Sequence, residues 1–420
     1  MTTNLQESAS EKSTRPLPSG TYIPKVTIDA FLLSKDNTQV LENLAADRRM
    51  TKATITIQVG GLSKAVNHYA TNKTPNLIIV EVDIAWEQLE EALDKLAVNC
   101  PPSTSIVVIG TFNDIKIYRA LMEKGVNEYL VSPVSDFDLM KSITSVFSSN
   151  KKQKLGRISA FLGTRGGSGS STIAQNVAVI LAQNPSSNVL LIDVDYPFGT
   201  TALNLNIDNQ HSASELLSNQ ENIDDGFLDR ISIRYGKHLR VIGAGATFDQ
   251  IFDFRKDFVT RIVDAIHEGA CHAIIDLPTS WSEREAEFLK VADDIVLTAT
   301  PDLNSMRNTK QLVEHCARTR PNDPPPLLVM NQIGMPKRPE IKKADFAKAV
   351  RLTPSATIPF DANAFGRAAN NGQTIYETTP RSLTSNAMID LASLLDGSKR
   401  DNHSGKIRTP SLWERFVKRR

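Results

Sequence analysis

Cysteine is scarce: three residues (Cys100, Cys271, Cys316), odd in number and far apart. They offer neither a disulfide framework nor a CxxC metal spacing, so disulfide scaffolds and zinc fingers drop out. A reducing cytosol is the expected compartment. No apolar run approaches the roughly 18 residues needed to span a bilayer, which argues against an integral-membrane chain. The opening MTTNLQESASEKSTRPLPSG has no apolar core, so no secretory signal is expected. An excess of charge is missing as well: 48 Lys plus Arg stand against 47 Asp plus Glu, a net charge of +1. That balance disfavours both a globally basic nucleic-acid binder and an acidic solvating chain. What remains is 420 residues with 40% hydrophobic content, enough for two or three ordinary globular cores.

The pattern along the chain is α/β. Residues 1–20 are rich in Ser, Thr, Pro and charge and are expected to be disordered. In residues 21–147, short apolar runs (VTIDAFLL, TITIQV, NLIIVEV, SIVVIGT, EYLVS) alternate with amphipathic stretches such as WEQLEEALDKLA. Residues 148–157 are polar and basic and predict a linker. Residues 158–395 repeat the alternation with ISAFLGT, VLLIDVD, LRVIGA, HAIIDLP, DIVLTAT, LLVMNQI and SATIPF. Such alternation predicts two doubly wound parallel-sheet domains. Residues 396–420 form a separate basic tail, also expected to be disordered.

The segment FLGTRGGSGSSTIAQNVAVILA carries the most chemistry. Apolar residues precede a glycine-rich turn and helix-period residues follow it, which is the context of a phosphate loop. Glycines let the backbone approach an anion, and the following helix adds its positive end. Ser170 stands where the usual lysine would, and Thr164 where the first glycine would. Downstream, VLLIDVD ends in Asp193 and Asp195, and HAIIDLP brings Asp276. Carboxylates at the ends of apolar strands hold Mg2+ and position water. Asn331, in LLVMNQIG, is a side-chain amide suited to reading a purine base.

RGGSGSST, DVD, DLP and NQIG, in that order, resemble the MinD/ParA class of deviant P-loop ATPases. Within that class the chain resembles the TadZ/CpaE branch of Tad (Flp-type) pilus assembly, as TPDLNSMRNTK and IPFDANAFGRAANNG also do. The class carries KGGxGKT; here Arg165 replaces the signature lysine and Ser170 the Walker lysine. The resemblance implies ATP and Mg2+ as cofactors. It implies a nucleotide-binding set of Arg165, Gly166, Gly167, Ser168, Gly169, Ser170, Ser171, Thr172, Asn331 and Pro359. It further implies Ser171, Asp193 and Asp276 as metal holders and Asp195 as the catalytic, water-positioning residue. A nucleotide-sandwich homodimer is implied too, in which Arg165 reaches the partner's phosphates. Losing a charged donor at 170 is worth about 1.5–3 kcal/mol, so weakened ATP binding and slow or absent hydrolysis are expected. The implied role is a nucleotide-responsive localisation or scaffold factor, cytoplasmic, peripheral to the inner membrane and polar. Its implied partners are the Tad pilus secretion ATPase or its inner-membrane platform, and a polar landmark protein. No specific nucleic-acid contact is expected. An active ParA/MinD-type positioning ATPase, a response-regulator-like signalling protein and an electron-transfer ATPase of the nitrogenase iron-protein kind remain alternatives.

The first domain resembles a response-regulator receiver. Asp36 is the candidate for its acidic pair, and Glu81 occupies the phosphoacceptor position. Asp83 would share the strand face of Glu81, Thr111 follows the fourth strand, and Ser132 replaces the lysine before Pro133. Glu81 is one methylene too long and Ser132 supplies no cation, so a phospho-independent interaction domain is expected. In the tail, Ser411 and Glu414 fit a capping box, with Leu412, Trp413, Phe416 and Val417 on one side. Contact of residues 411–420 with an anionic membrane surface is expected. His315 and Cys316 diverge on a helix, which disfavours a shared metal, and Trp281 is a dimer-contact candidate.

Overall fold

The computed structural model describes residues 23, 25–148, 156–196, 198–208, 212–244, 254–269 and 271–397. The N-terminal stretch 1–20, most of the expected linker and the tail from 398 onward lie outside the described residues. Two compact units form. The first holds the described residues up to Gly156 together with 289–293 and 313–325. The second holds 157–288, 294–312 and 326 onward.

In the first unit the elements run β1 (Val26–Leu32), α1 (Lys35–Ala45), β2 (Ala53–Val59), α2 (Gly61–Tyr69), β3 (Leu77–Glu81) and α3 (Trp86–Val98). They continue with β4 (Ser105–Gly110), α4 (Ile115–Glu123), β5 (Glu128–Val131) and α5 (Asp136–Ser148). The sheet order is β2-β1-β3-β4-β5, parallel throughout. This is the flavodoxin-like doubly wound order. Central β3 shows why its run is uninterruptedly apolar. Leu77 and Ile79 pack on one face with Leu41, Leu44, Leu139 and Ile143, while Ile78 and Val80 pack on the other with Leu89 and Leu93. A strand buried on both faces has no position left for a polar side chain.

In the second unit the strands are β6 (Arg157–Gly163), β7 (Val189–Asp193), β8 (Ile233–Tyr235), β9 (Leu239–Ile242), β10 (His272–Leu277), β11 (Asp294–Ala299), β12 (Leu327–Ile333) and β13 (Pro354–Pro359). The helices are α6 (Ser170–Leu181), α7 (Thr201–Asn204), α8 (Ser212–Ser218), α9 (Asp225–Ile231), α10 (Phe258–Glu268), α11 (Glu283–Val291), α12 (Leu303–Thr319), α13 (Lys343–Val350), α14 (Ala362–Asn371), α15 (Ile375–Thr378) and α16 (Leu383–Leu395). The sheet order is β13-β12-β11-β6-β10-β7-β9-β8; every pair is parallel except β8 with β9. From β6 the chain runs to β7, β8 and β9 on one side, returns to β10 beside β6, and crosses to β11, β12 and β13 on the other. The topology therefore switches at β6, where doubly wound sheets open their ligand crevice. Helix α6 is buried on nearly all sides, with Ile173, Val177 and Leu181 in the main core beside Leu191, Ile274 and Leu391.

The first unit also contains a buried ion cluster. The side chain of Arg49 is wholly buried and pairs with Asp323 and, at 3.0 Å, with Asp47. Arg48 Nε donates to Asp323 at 2.9 Å and Arg320 Nε at 3.0 Å. Burial alone would raise the Asp323 carboxyl, but Arg48, Arg320 and Arg49 outweigh it and bring it down to about 2. Asp323→Asn leaves these guanidinium groups without their shared anion, an expected loss of about 3–5 kcal/mol in urea unfolding at neutral pH. Because the folded carboxyl is depressed, its contribution is complete above the ordinary Asp range and fades as pH falls toward 2. The gap between wild type and variant should close over that window; a gap independent of pH would contradict the assignment.

Candidate functional site

The loop Thr164–Gly169 joins β6 to α6. Gly169 caps α6 in the left-handed conformation (φ 87°), and no side chain caps that helix end. A Cβ at Gly169 would meet Asn331 Nδ2 at 2.5 Å, so glycine is required there twice over. Three side-chain amides hold the loop carbonyls from outside. Asn308 Nδ2 donates to the Thr164 carbonyl at 2.7 Å, Gln332 Nε2 to that of Gly167 at 2.9 Å, and Asn331 Nδ2 to that of Ser168 at 2.7 Å. In a trans peptide the following N–H points the opposite way. The Arg165 and Gly169 amides are thereby turned from these anchors, and with the open end of α6 they make an anion cradle. Asn331 also accepts from the Gln332 N–H at 2.8 Å and is buried. Its amide is thus committed to bracing the loop, a different task from the base reading expected of it. Pro359 pairs in register with Ile333 at the end of the neighbouring edge strand.

Asp193 and Asp276 lie opposite each other on the adjacent strands β7 and β10. Each is 1% exposed. Asp193 accepts from the backbone N–H of Asp195 at 3.0 Å and of Thr201 at 3.2 Å. Burial pushes both carboxyls up. Asp276 is driven well above the ordinary range, with the Asp193 charge adding to the effect and the Ser171 hydroxyl opposing it. One Asp276 carboxylate oxygen and the hydroxyls of Ser170 and Thr164 are buried without a hydrogen-bond partner. Two buried acids, an adjoining hydroxyl and orphaned oxygens are a donor set for a hard divalent cation, which takes one or two carboxylates and completes its shell with water and phosphate. Ser171, Asp193 and Asp276 therefore fit Mg2+.

Asp195 is partly buried. Burial raises its carboxyl, Arg284 lowers it, and Glu285 raises it. The exposed side chain of Arg165 lies 3.5 Å from Asp302. Asn308 and Gln332 lie within the motifs TPDLNSMRNTK and NQIG, where the sequence assigns them no role, and Arg284 carries no strand-end or loop pattern. Gln332 adopts φ 57° and is held there by Arg338, which donates to its carbonyl and, at 3.1 Å, to its side-chain oxygen.

In the first unit Glu81 is buried at the end of β3. Its Oε2 accepts from the backbone N–H of Leu33 at 2.7 Å and of Ser34 at 2.9 Å, and its Oε1 from Asn37 Nδ2 at 2.8 Å. Asn37 also donates to Ser132 Oγ at 3.1 Å and accepts from the Val134 N–H at 3.2 Å. Asp36, expected in this pocket, is exposed on the first turn of α1; the pocket belongs to its neighbour Asn37. Asp83 does not share the face of Glu81, because β3 ends at Glu81 and the alternation stops; Asp83 is exposed, as is Thr111.

Residues 156–324 match the family model described as an AAA domain. Over 237 residues the chain is 24% identical to an uncharacterised ATP-binding protein of Methanocaldococcus jannaschii, covering 56% of this chain and 85% of that protein. A ParA family ATPase structure from Chlorobium tepidum is similar at 24% identity and a TM-score of 0.52, covering 57% of this chain and 98% of that one. A pilus assembly protein CpaE structure from Caulobacter crescentus is 39% identical with a TM-score of 0.29, covering 30% of this chain and 96% of that one. The second unit is a P-loop domain with the ParA/MinD-like fold.

The Glu81 network predicts a stability signature. Burial opposes ionisation of Glu81, but donors from Ser34, Leu33 and Asn37 outweigh it and hold the carboxyl below its usual range. Its contribution is full above the unfolded Glu range and lost as pH falls through the folded value. Glu81→Ala should cost about 1–3 kcal/mol for each donor left unpaired. Chemical denaturation at pH 7 and pH 3 should show the penalty shrinking at the lower pH; an unchanged midpoint at pH 7 would exclude the network.

Proposed function

We propose that the chain is a nucleotide-responsive localisation or scaffold factor for Tad (Flp-type) pilus assembly. It binds Mg-ATP in the second unit, hydrolyses it slowly or not at all, and dimerises through that unit. The observation that carries the reading is a divided site. The backbone cradle and the buried pair Asp193 and Asp276 are in place, while position 170 has a serine where a cation would serve the phosphates. Affinity can survive on backbone donors; hydrolysis depends on charge placed for the transition state and suffers more.

Arg165, Gly166, Gly167, Ser168, Gly169, Ser170 and Thr172 would surround the phosphates, with Asn331 bracing the loop and Pro359 at the edge nearest the base. Ser171, Asp193 and Asp276 would hold Mg2+, and Asp195 would orient a water. Bound Mg2+ supplies the positive charge that neutralises the phosphate oxygens. Phe198, Leu203, Trp281 and Leu303 are exposed apolar side chains in the segments following β7, β10 and β11. An apolar rim around a ligand crevice suits a second copy of the chain, with Arg165 free enough to reach across. The Tad assignment rests on the motifs TPDLNSMRNTK and IPFDANAFGRAANNG. No helix among the described residues is long and apolar enough to cross a membrane; attachment to the inner membrane would fall to residues 411–420. The self-satisfied pocket of Glu81 supports reading the first unit as a phospho-independent docking domain, for the pilus secretion ATPase, its platform or a polar landmark.

Calorimetric titration of the full chain with Mg-ATP should give micromolar binding, and chelating the metal should weaken it. Ser170→Lys should tighten binding about ten- to over a hundredfold, since it restores a charged donor. Absence of heat up to millimolar ATP would remove the nucleotide reading, and a fast turnover abolished by Asp195→Ala would remove slow hydrolysis. In sedimentation runs, Mg-ATP should shift the chain toward dimer, and Leu203→Glu should prevent the shift. A dimer that ignores both would place the interface elsewhere.

A further inference from the structure

With serine at position 170, the one cation of the loop is Arg165, which the reading above directs toward a second copy of the chain. Arg338 is spent on Gln332 and, at 2.9 Å, on Glu340. Arg165 is exposed beside Asp302. Arg284 is held differently. It is the second residue of α11, the helix entered from the loop that leaves β10. Its side chain is 13% exposed, and its Nη2 lies 2.6 Å from Glu285 Oε1. Its Nε donates to the same oxygen at 2.8 Å, and the guanidinium lies over the Phe254 ring at 4.3 Å. Glu285 is itself wholly buried and fixed by the Ser282 N–H at 2.9 Å. A planar cation held by an aromatic face and a buried carboxylate has already lost the freedom that binding would otherwise cost it. Neither anchor uses Nη1.

The position is as telling as the anchoring. Strands β7 and β10 are neighbours with Asp193 opposite Asp276. The segments carrying Asp195 and Arg284 therefore leave the same end of the sheet side by side.

We propose that Arg284 is a phosphate-binding residue: from the α11 side of the site, and within the same chain, it supplies to the terminal phosphate of a nucleoside triphosphate the positive charge that position 170 lacks. The proposal rests on the nucleotide reading above and deepens it. The backbone cradle serves the inner phosphates of ATP and ADP alike, whereas Arg284 serves only the third. It therefore makes the site selective for triphosphate over diphosphate.

The test is calorimetry on the full chain with Mg2+, using ADP and a non-hydrolysable ATP analogue. Arg284→Gln should weaken the analogue about tenfold or more and change ADP by less than about twofold. Because that substitution leaves Glu285 buried alone, the pair Arg284→Gln with Glu285→Gln is measured too and should show the same selective loss. In a Ser170→Lys background the loss should shrink, because one cation then substitutes for the other. Equal losses for both nucleotides, no loss, recovery of the analogue in the paired variant, or strict additivity with Ser170→Lys would each overturn the role of Arg284. If the wild-type chain binds neither nucleotide, the ATP reading falls and takes this inference with it. If it binds both and Arg284→Gln is indifferent, only this inference falls.

Discussion

The open shape of the loop Thr164–Gly169 depends on three side-chain amides that lie outside it. A glycine-rich loop left to itself populates many conformations and folds its carbonyls onto its own N–H groups as readily as it exposes them. Asn308, Asn331 and Gln332 remove that choice by donating to the carbonyls of Thr164, Ser168 and Gly167. Two of these amides come from β12 and its end, and one from α12. The cradle is therefore only as rigid as the parallel packing of β6, β11 and β12. Helix α6 completes it, and its burial in the main core fixes the direction of its N-terminal end.

Once the cradle is fixed, the electrostatics follow from burial. Asp193 and Asp276 share a register position on neighbouring strands, so they are brought together whatever their charges prefer. Burial pushes both carboxyls upward, and an oxygen of Asp276 has no hydrogen-bond partner. Unpaired buried acids destabilise the fold that contains them. A ligand that binds only the folded chain recovers that cost by mass action. The acid pair thus weighs on the stability of the second unit. Ser170 sets no such demand, because a buried hydroxyl without a partner costs far less than a buried charge.

Much of this was legible in the sequence because it follows from strict local patterns. The alternation of apolar runs and amphipathic stretches predicts both parallel sheets, and the strand-end positions of Asp193 and Asp276 follow from the lengths of VLLID and HAIIDL. The misses have physical reasons. Strand β8 is three residues long and antiparallel to β9; three residues carry no periodicity to detect. Asn308 sits within α12, 144 residues from the carbonyl it holds, and nothing local in a helix marks a side chain with so distant a partner. In the first unit the exchange of Asp36 for Asn37 is a matter of one residue in helical phase. The N-cap at Ser34 sets that phase and turns Asn37 inward. The extension of the strand pattern to Asp83 failed for the opposite reason: a period of two holds only while the strand lasts.

The two units place a carboxylate at the same kind of position, the C-terminal end of a central parallel strand, with opposite results. Glu81 fills its lone pairs with donors from its own fold, from Leu33, Ser34 and Asn37, and its carboxyl is held low. Asp276 finds the Ser171 hydroxyl and little else, and its carboxyl is held high. The extra methylene of glutamate is what allows the difference, since it carries the carboxylate across to the backbone at the start of α1. A carboxylate whose acceptors are already satisfied has less to gain from a new donor than one whose acceptors are not. Hydrogen bonding thus separates the two carboxylates: that of Glu81 is satisfied within its own unit, while an oxygen of Asp276 is not.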